Sequence, residues 1–296
     1  MYKIMTPGPT QVAENVRLAR SRECTNPDLD ASFVEFYKET CEEISRLLHT
    51  DNETLILGGE GILGLEAACA SMTEPGDHVL VLDNGIYGKG FADFVSMYGG
   101  IPELYSRDYR ETLDVQELEE FLKEHHNYKY ATVVHGDTPS GMLNDISAIC
   151  PLLKKYGIMT VVDSVSASFG EPMRISDWQI DIMCGGSQKV VSAPPGLTFV
   201  VISDDAKKAM AERKTPIASF YANILVFKDY YKNLWFPYTM PISDIYGLRT
   251  ALENVKADPD RYERHKQMGE LTRRTVKEMG LSLYLENGYS NTVTVI

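Results

Sequence analysis

The chain has 296 residues, 44% of them apolar, and a formal net charge of −13. The apolar share is enough for a sizeable core and excludes a disordered chain; at roughly 100–200 residues per domain, the length predicts one large domain or two unequal ones. So acidic a surface repels phosphate backbones and anionic lipid, which argues against nucleic acid or membrane as a main partner, while a small anion needs only a few local donors and stays open.

From the N-terminus, residues 1–12 contain no apolar h-region, so no secretory signal is expected. Residues 32–48 carry Phe33, Phe36, Tyr37, Ile44, Leu47 and Leu48 at helical spacing. The apolar run 54–57 predicts a strand that stops at Gly58-Gly59-Glu60-Gly61, and a helix follows from Ile62 to about Met72. Pro75-Gly76-Asp77 is a turn, and 78–82 reads as a strand. Helices are expected at 88–98 and 114–124, a strand at 131–135, and a helix at 145–156 with Gly157 as its C-cap. Strands follow at 158–162, 180–184 and 197–202. From about residue 203 the pattern turns mostly helical, interrupted by a proline- and aromatic-rich loop at 235–241. A helix then runs to about Val255, and Asp258-Pro259 marks a boundary.

This alternation predicts an α/β fold with a mainly parallel sheet. The expected division is a large domain over 1–256 and the start of a small C-terminal domain over 257–296. No apolar run reaches the length of a bilayer span. Five cysteines, an odd number without C-x-x-C spacing, fit reduced thiols in a cytoplasmic protein and no metal site.

Ligands of open α/β sheets bind beyond the C-terminal ends of the strands. Residues 59–61, 84–88, Thr138, Asp163 and Lys189 all follow predicted strands, so they are expected to converge on one crevice. Lys189 lies between Gly-Gly-Ser-Gln and Val-Val-Ser-Ala-Pro-Pro-Gly. Enclosed in a cleft, its ammonium form is disfavoured and a nucleophilic amine becomes available; in the open it is one more solvated lysine. Asp163 ends Met-Thr-Val-Val-Asp. It can cap a helix, or pair with a pyridine nitrogen and keep that ring an electron sink. Gly59-Glu60-Gly61-Ile62 precedes a helix whose N–H groups can cradle a phosphate, although a carboxylate at Glu60 opposes an anion there. Tyr87 offers a ring for stacking, Thr138 a hydroxyl, and Thr239 a second hydroxyl in the aromatic loop. Each of these also has an ordinary packing or loop role.

Taken together, the segments resemble the class V, fold type I aminotransferases, in the alanine–glyoxylate and serine–pyruvate branch. The matching pieces run in order: Thr-Pro-Gly-Pro-Thr, Gly-Glu-Gly-Ile-Leu-Gly, Glu-Pro-Gly-Asp, Asn-Gly-Ile-Tyr-Gly, His-Gly-Asp-Thr-Pro-Ser-Gly, Val-Asp-Ser-Val, Gly-Ser-Gln-Lys with Ala-Pro-Pro-Gly, and Tyr-Thr-Met-Pro. The resemblance implies pyridoxal 5′-phosphate held as a Schiff base on Lys189, with Asp163 on the pyridine nitrogen. It implies Tyr87 stacked on the ring and Thr138 near the phenolic oxygen. Glu60, Gly61 and Ile62 would contact the phosphate, with Gln188 nearby, and Gly8 would line the substrate pocket. Thr239 would reach the cofactor of a partner subunit, since the family is dimeric with shared sites. The implied reaction moves an amino group from an alanine- or serine-like amino acid to glyoxylate or pyruvate.

Three departures stand out. Glu60 and Ile62 occupy positions where relatives often have Ser and His. Phe236 stands where relatives have a phosphate-binding Tyr. The substrate-binding Arg of the family's C-terminal domain has no counterpart before Ile296, which leaves a fragment, or an anchor elsewhere, as the expectation. A lyase or desulfurase on the same fold, and a weakly catalytic binding protein, are the competing readings.

Overall fold

The computed structural model describes residues 3–296. Seven strands form the main sheet, in the order β1-β9-β8-β7-β4-β2-β3. Their ranges are β1 Glu53–Gly58, β2 His78–Asp83, β3 Ile101–Ser106, β4 Tyr130–Val134, β7 Met159–Asp163, β8 Ile182–Gly186 and β9 Leu197–Ile202. Only β9 runs against its neighbours, pairing antiparallel with both β1 and β8. The other six strands therefore point the same way, and the expected mainly parallel sheet is present. A two-stranded ribbon, β5 Gly136–Asp137 and β6 Met142–Leu143, follows β4.

Helices cover the sheet. The helix α3, Gly61–Met72, packs on β8 and β9. Its small residues let it approach closely: a Cβ on Gly64 would stand 2.4 Å from Thr198 Oγ1. The helix α2, Ala31–Leu47, buries Phe33, Val34, Tyr37, Cys41 and Ile44 at helical spacing and covers β1. The Tyr37 hydroxyl donates to the Ile56 carbonyl at 2.9 Å and accepts from its N–H at 2.8 Å, so one side chain satisfies backbone groups on an edge strand. Farther along, α4 spans Ile86–Met97, α5 Val115–Glu124 and α6 Ile146–Lys155. Strands β4, β8 and β9 are buried at every position, as a sheet covered on both faces requires.

The helix α1, Glu14–Ala19, the edge strand β3 and the short ribbon strands β5 and β6 have no counterpart among the expected elements. β3 contains Pro102 and buries only Tyr105, so its apolar pattern is weak. The stretch expected to be mostly helical after 203 is less so. It forms α7 Asp204–Ala211, a 3₁₀ turn Ile224–Phe227, the four-residue α8 Tyr230–Asn233, and α9 Ile242–Lys256. Between them, prolines and the left-handed Asp229 and Leu234 keep the chain irregular. After Asp258-Pro259 comes α10, Arg261–Glu278, which buries only Gly269. The closing segment docks by Ser290 N–H to the Gly141 carbonyl and by Asn291 on the buried Glu171 carboxylate. No helix among the described residues is long and apolar enough to cross a membrane.

Candidate active site

The strand ends place the candidate side chains. β7 ends on Asp163 itself, and β8 stops three residues before Lys189. β1 delivers Gly59 and Glu60 to the start of α3. These ends enclose a cavity of about 340 Å³, at the lower end of the range for small-ligand pockets. Gly8, Glu60, Gly61, Ile62, Tyr87, Thr138, Asp163, Gln188 and Lys189 all line it. Thr239 does not: it lies exposed on the 235–241 loop, away from this chain's own cavity. Of the predicted segment 84–88, only Tyr87 reaches the cavity. Asn84 is buried and exchanges amide hydrogen bonds with Asn144, at 2.9 and 3.2 Å.

Asp163 is 6% exposed, and its Oδ1 accepts from the Val165 N–H at 2.9 Å. Burial raises its pKa to about 7, against the opposing effect of that N–H, and the nearby Asp137 charge adds to the rise. Lys189 moves the other way: burial lowers its pKa, while the charges of Asp163 and Glu60 offset part of the effect. One acid and one base thus sit in a common cavity, each pushed toward its neutral form.

The lysine is also held mechanically. Its loop is stitched by Ser187, whose Oγ donates to the Pro194 carbonyl at 2.6 Å, and by the Ser192 N–H on the Lys189 carbonyl. From the N-terminal arm, Thr10 Oγ1 donates to that same carbonyl at 2.7 Å, and Thr10 N–H donates to the Gln188 carbonyl. A Cβ on Gly8 would lie 2.4–2.7 Å from Lys189 Cδ, Cε and Nζ, so only glycine leaves the amine its place.

The start of α3 is less open. Glu60 is the N-cap; its Oε1 accepts from the Ile62 N–H at 3.0 Å, and its Oε2 from Gln188 Nε2 at 2.9 Å. Gln188 Oε1 is buried without a partner. Thr138 donates to the Ser166 hydroxyl at 2.9 Å. Val165 and Ser166 also line the cavity; Val165 closes the Val-Asp-Ser-Val segment, while no motif marks Ser166, whose one signal is its position three residues past Asp163. Behind the site, His135 bonds the Ser164 hydroxyl at 3.0 Å, and burial pushes its pKa down to about 3, so it is a neutral strut. No cysteine lines the cavity, and four of the five are buried.

A model of the class V aminotransferases matches residues 8–290. The chain is 35% identical to a pyridoxamine–pyruvate transaminase of Mesorhizobium japonicum, over 87% of this chain and 66% of that one. It is 30% identical to an alanine–glyoxylate aminotransferase of Callithrix jacchus, over 96% of this chain and 70% of that one. A crystal structure of a ureidoglycine–glyoxylate aminotransferase from Bacillus subtilis superimposes with a TM-score of 0.94 at 27% identity, covering 99% of this chain and 77% of that one.

Proposed function

The chain belongs to the class V aminotransferases, and from that premise we propose that Lys189 and Asp163 hold the pyridine ring of a pyridoxal cofactor, pyridoxal 5′-phosphate in most of the family, and with it transfer an amino group between a small amine and a 2-oxo acid. The observation that carries this reading is the opposed pair in one cavity: a buried carboxylate raised toward neutrality and an amine lowered toward it.

The residues at the ring end fit such a group. Asp163 is a buried anion when a cationic nitrogen is there to pair with it, and it then keeps a proton on that nitrogen. Lys189 Nζ would be the amine that holds the aldehyde end of such a group and, when free, the base placed to take a proton from the substrate's α-carbon. A base so placed contributes roughly 10²–10⁴-fold. The ring, when bound, supplies an electron sink. Gly8 keeps Nζ uncrowded, Tyr87 and Val165 line the same cavity, and the Thr138–Ser166 hydroxyl pair offers a partner for a phenolic oxygen.

The relatives suggest alanine or pyridoxamine as donor and glyoxylate or pyruvate as acceptor. Screening those donors against both oxo acids tests the reading, with Lys189→Ala as control. Turnover is expected in the parent chain and a loss of about 10²–10⁴-fold in the variant. Borohydride reduction should fix the ring on the peptide containing Lys189; attachment elsewhere refutes the assignment.

A homodimer with shared sites is part of the proposal. Its support is the exposed aromatic side chains Phe220, Tyr221 and Trp235, with Tyr221 stacked on Tyr238, the sequence neighbour of the exposed Thr239. Five free cysteines support a reducing, cytoplasmic setting. The break at Asp258-Pro259, between α9 and α10, supports a division into 1–256 and 257–296.

A further inference from the structure

A phosphate group carries about −1.5 to −2 charges and only accepts hydrogen bonds, so a helix N-terminus must meet it with free donors. The end of the cavity at α3 offers the opposite. The Ile62 N–H is already taken by one oxygen of the Glu60 carboxylate, and one of the two Gln188 amide hydrogens by the other. The buried polar atom left without a partner at this end is an acceptor, Gln188 Oε1, and it stands beside the Glu60 carboxylate. The ionisable groups lining the cavity are Glu60, Asp163, Tyr87 and Lys189, so among the described residues of this chain no second cation offsets Glu60. The aromatic loop adds no hydroxyl at position 236: Phe236 carries none, and its ring is buried against Tyr37 and Tyr230. The ring end of the site therefore fits a pyridoxal, and the phosphate end does not.

We propose that Glu60 makes this site select pyridoxal and pyridoxamine in their unphosphorylated forms over the 5′-phosphate esters. The inference rests on the ring-binding role of Asp163 and Lys189. A 5′-hydroxyl donates to the waiting carboxylate and to Gln188 Oε1. A phosphate has nothing to donate once ionised, must displace Glu60 from the helix cap, and faces its charge. In the phosphate's place the protein holds its own anion, on the same N–H a phosphate would use.

The test is a binding titration of the full chain with pyridoxal and, separately, with pyridoxal 5′-phosphate. It is followed by the absorbance of the lysine-bound aldehyde and closed by borohydride trapping and peptide mapping. The parent chain is expected to bind pyridoxal at least about tenfold more tightly, roughly 1.4 kcal/mol. Glu60→Ser keeps a helix-capping side chain while removing the carboxylate, and is expected to shift the ratio at least about tenfold toward the ester. Tighter binding of the ester by the parent chain, or a ratio unmoved by Glu60→Ser, overturns the proposal. Trapping of neither aldehyde at Lys189 is a different result, and removes the ring-binding reading beneath it.

Discussion

At the scale of single residues, Asp163 makes a claim about pH. Folding raises its affinity for a proton, so its stabilising contribution in the ligand-free protein is complete below about pH 4, where an unfolded Asp is protonated. That contribution is lost as pH climbs through its folded value of about 7. The gap is worth roughly 4 kcal/mol at most, at about 1.4 kcal/mol per pH unit. Asp163→Asn should therefore gain stability relative to the parent between pH 4 and 8, read as the difference in thermal midpoints, and lose ring binding in the same range. Gly8→Ala should slow trapping of the aldehyde at Lys189 by about 10²-fold with little change in unfolding, since the three atoms nearest the new methyl all belong to the lysine side chain. Equal trapping rates would remove the crowding argument. Lys189 and Asp163 were legible because each is framed by a specific motif at a strand end. Ser166 was not, because a serine past an aspartate signals nothing until the chain turns it inward.

At the scale of elements, β1 depends on one hydroxyl. Tyr37→Phe leaves both the N–H and the C=O of Ile56 unpaired in a buried place. Each orphaned group costs about 1–3 kcal/mol, so the urea midpoint should drop well beyond what a conservative exchange normally produces. A drop within experimental error would mean that water replaces the phenol. Gly185 is a second such point. A Cβ there would lie 2.2 Å from the Phe199 ring on β9, and Gly185→Ala should cost about 1–3 kcal/mol through overpacking. The buried strands were readable from their apolar runs. β3 was not, because an edge strand with a proline and one buried side chain carries no such run. The irregular stretch between α7 and α9 misleads for the opposite reason: its apolar residues are spaced like helices, but prolines and two left-handed residues break them up. The loop before α3 was half legible, since the charge of Glu60 was visible in the sequence, while its capture of Gln188 needed the fold.

At the scale of the molecule, the direction of the strands does most to make the site. Six strands end on one side, and the motifs that follow five of them, spread over more than a hundred residues of sequence, meet around one hollow. Shared sites would make assembly and chemistry inseparable. Sedimentation of the 33.2 kDa chain should give twice that mass, and Trp235→Glu, placing a charge in the exposed aromatic group, should favour monomer; a monomeric parent would count against shared sites. The Thr10 bonds to Gln188 and Lys189 reach further still. They splint the reactive loop with a strip of chain that a protease can reach. By reciprocity, whatever settles against the lysine must also quiet the arm, and clipping the arm must weaken that ligand by the same factor. Digestion timed with and without pyridoxal would read the molecule's grip from its tail.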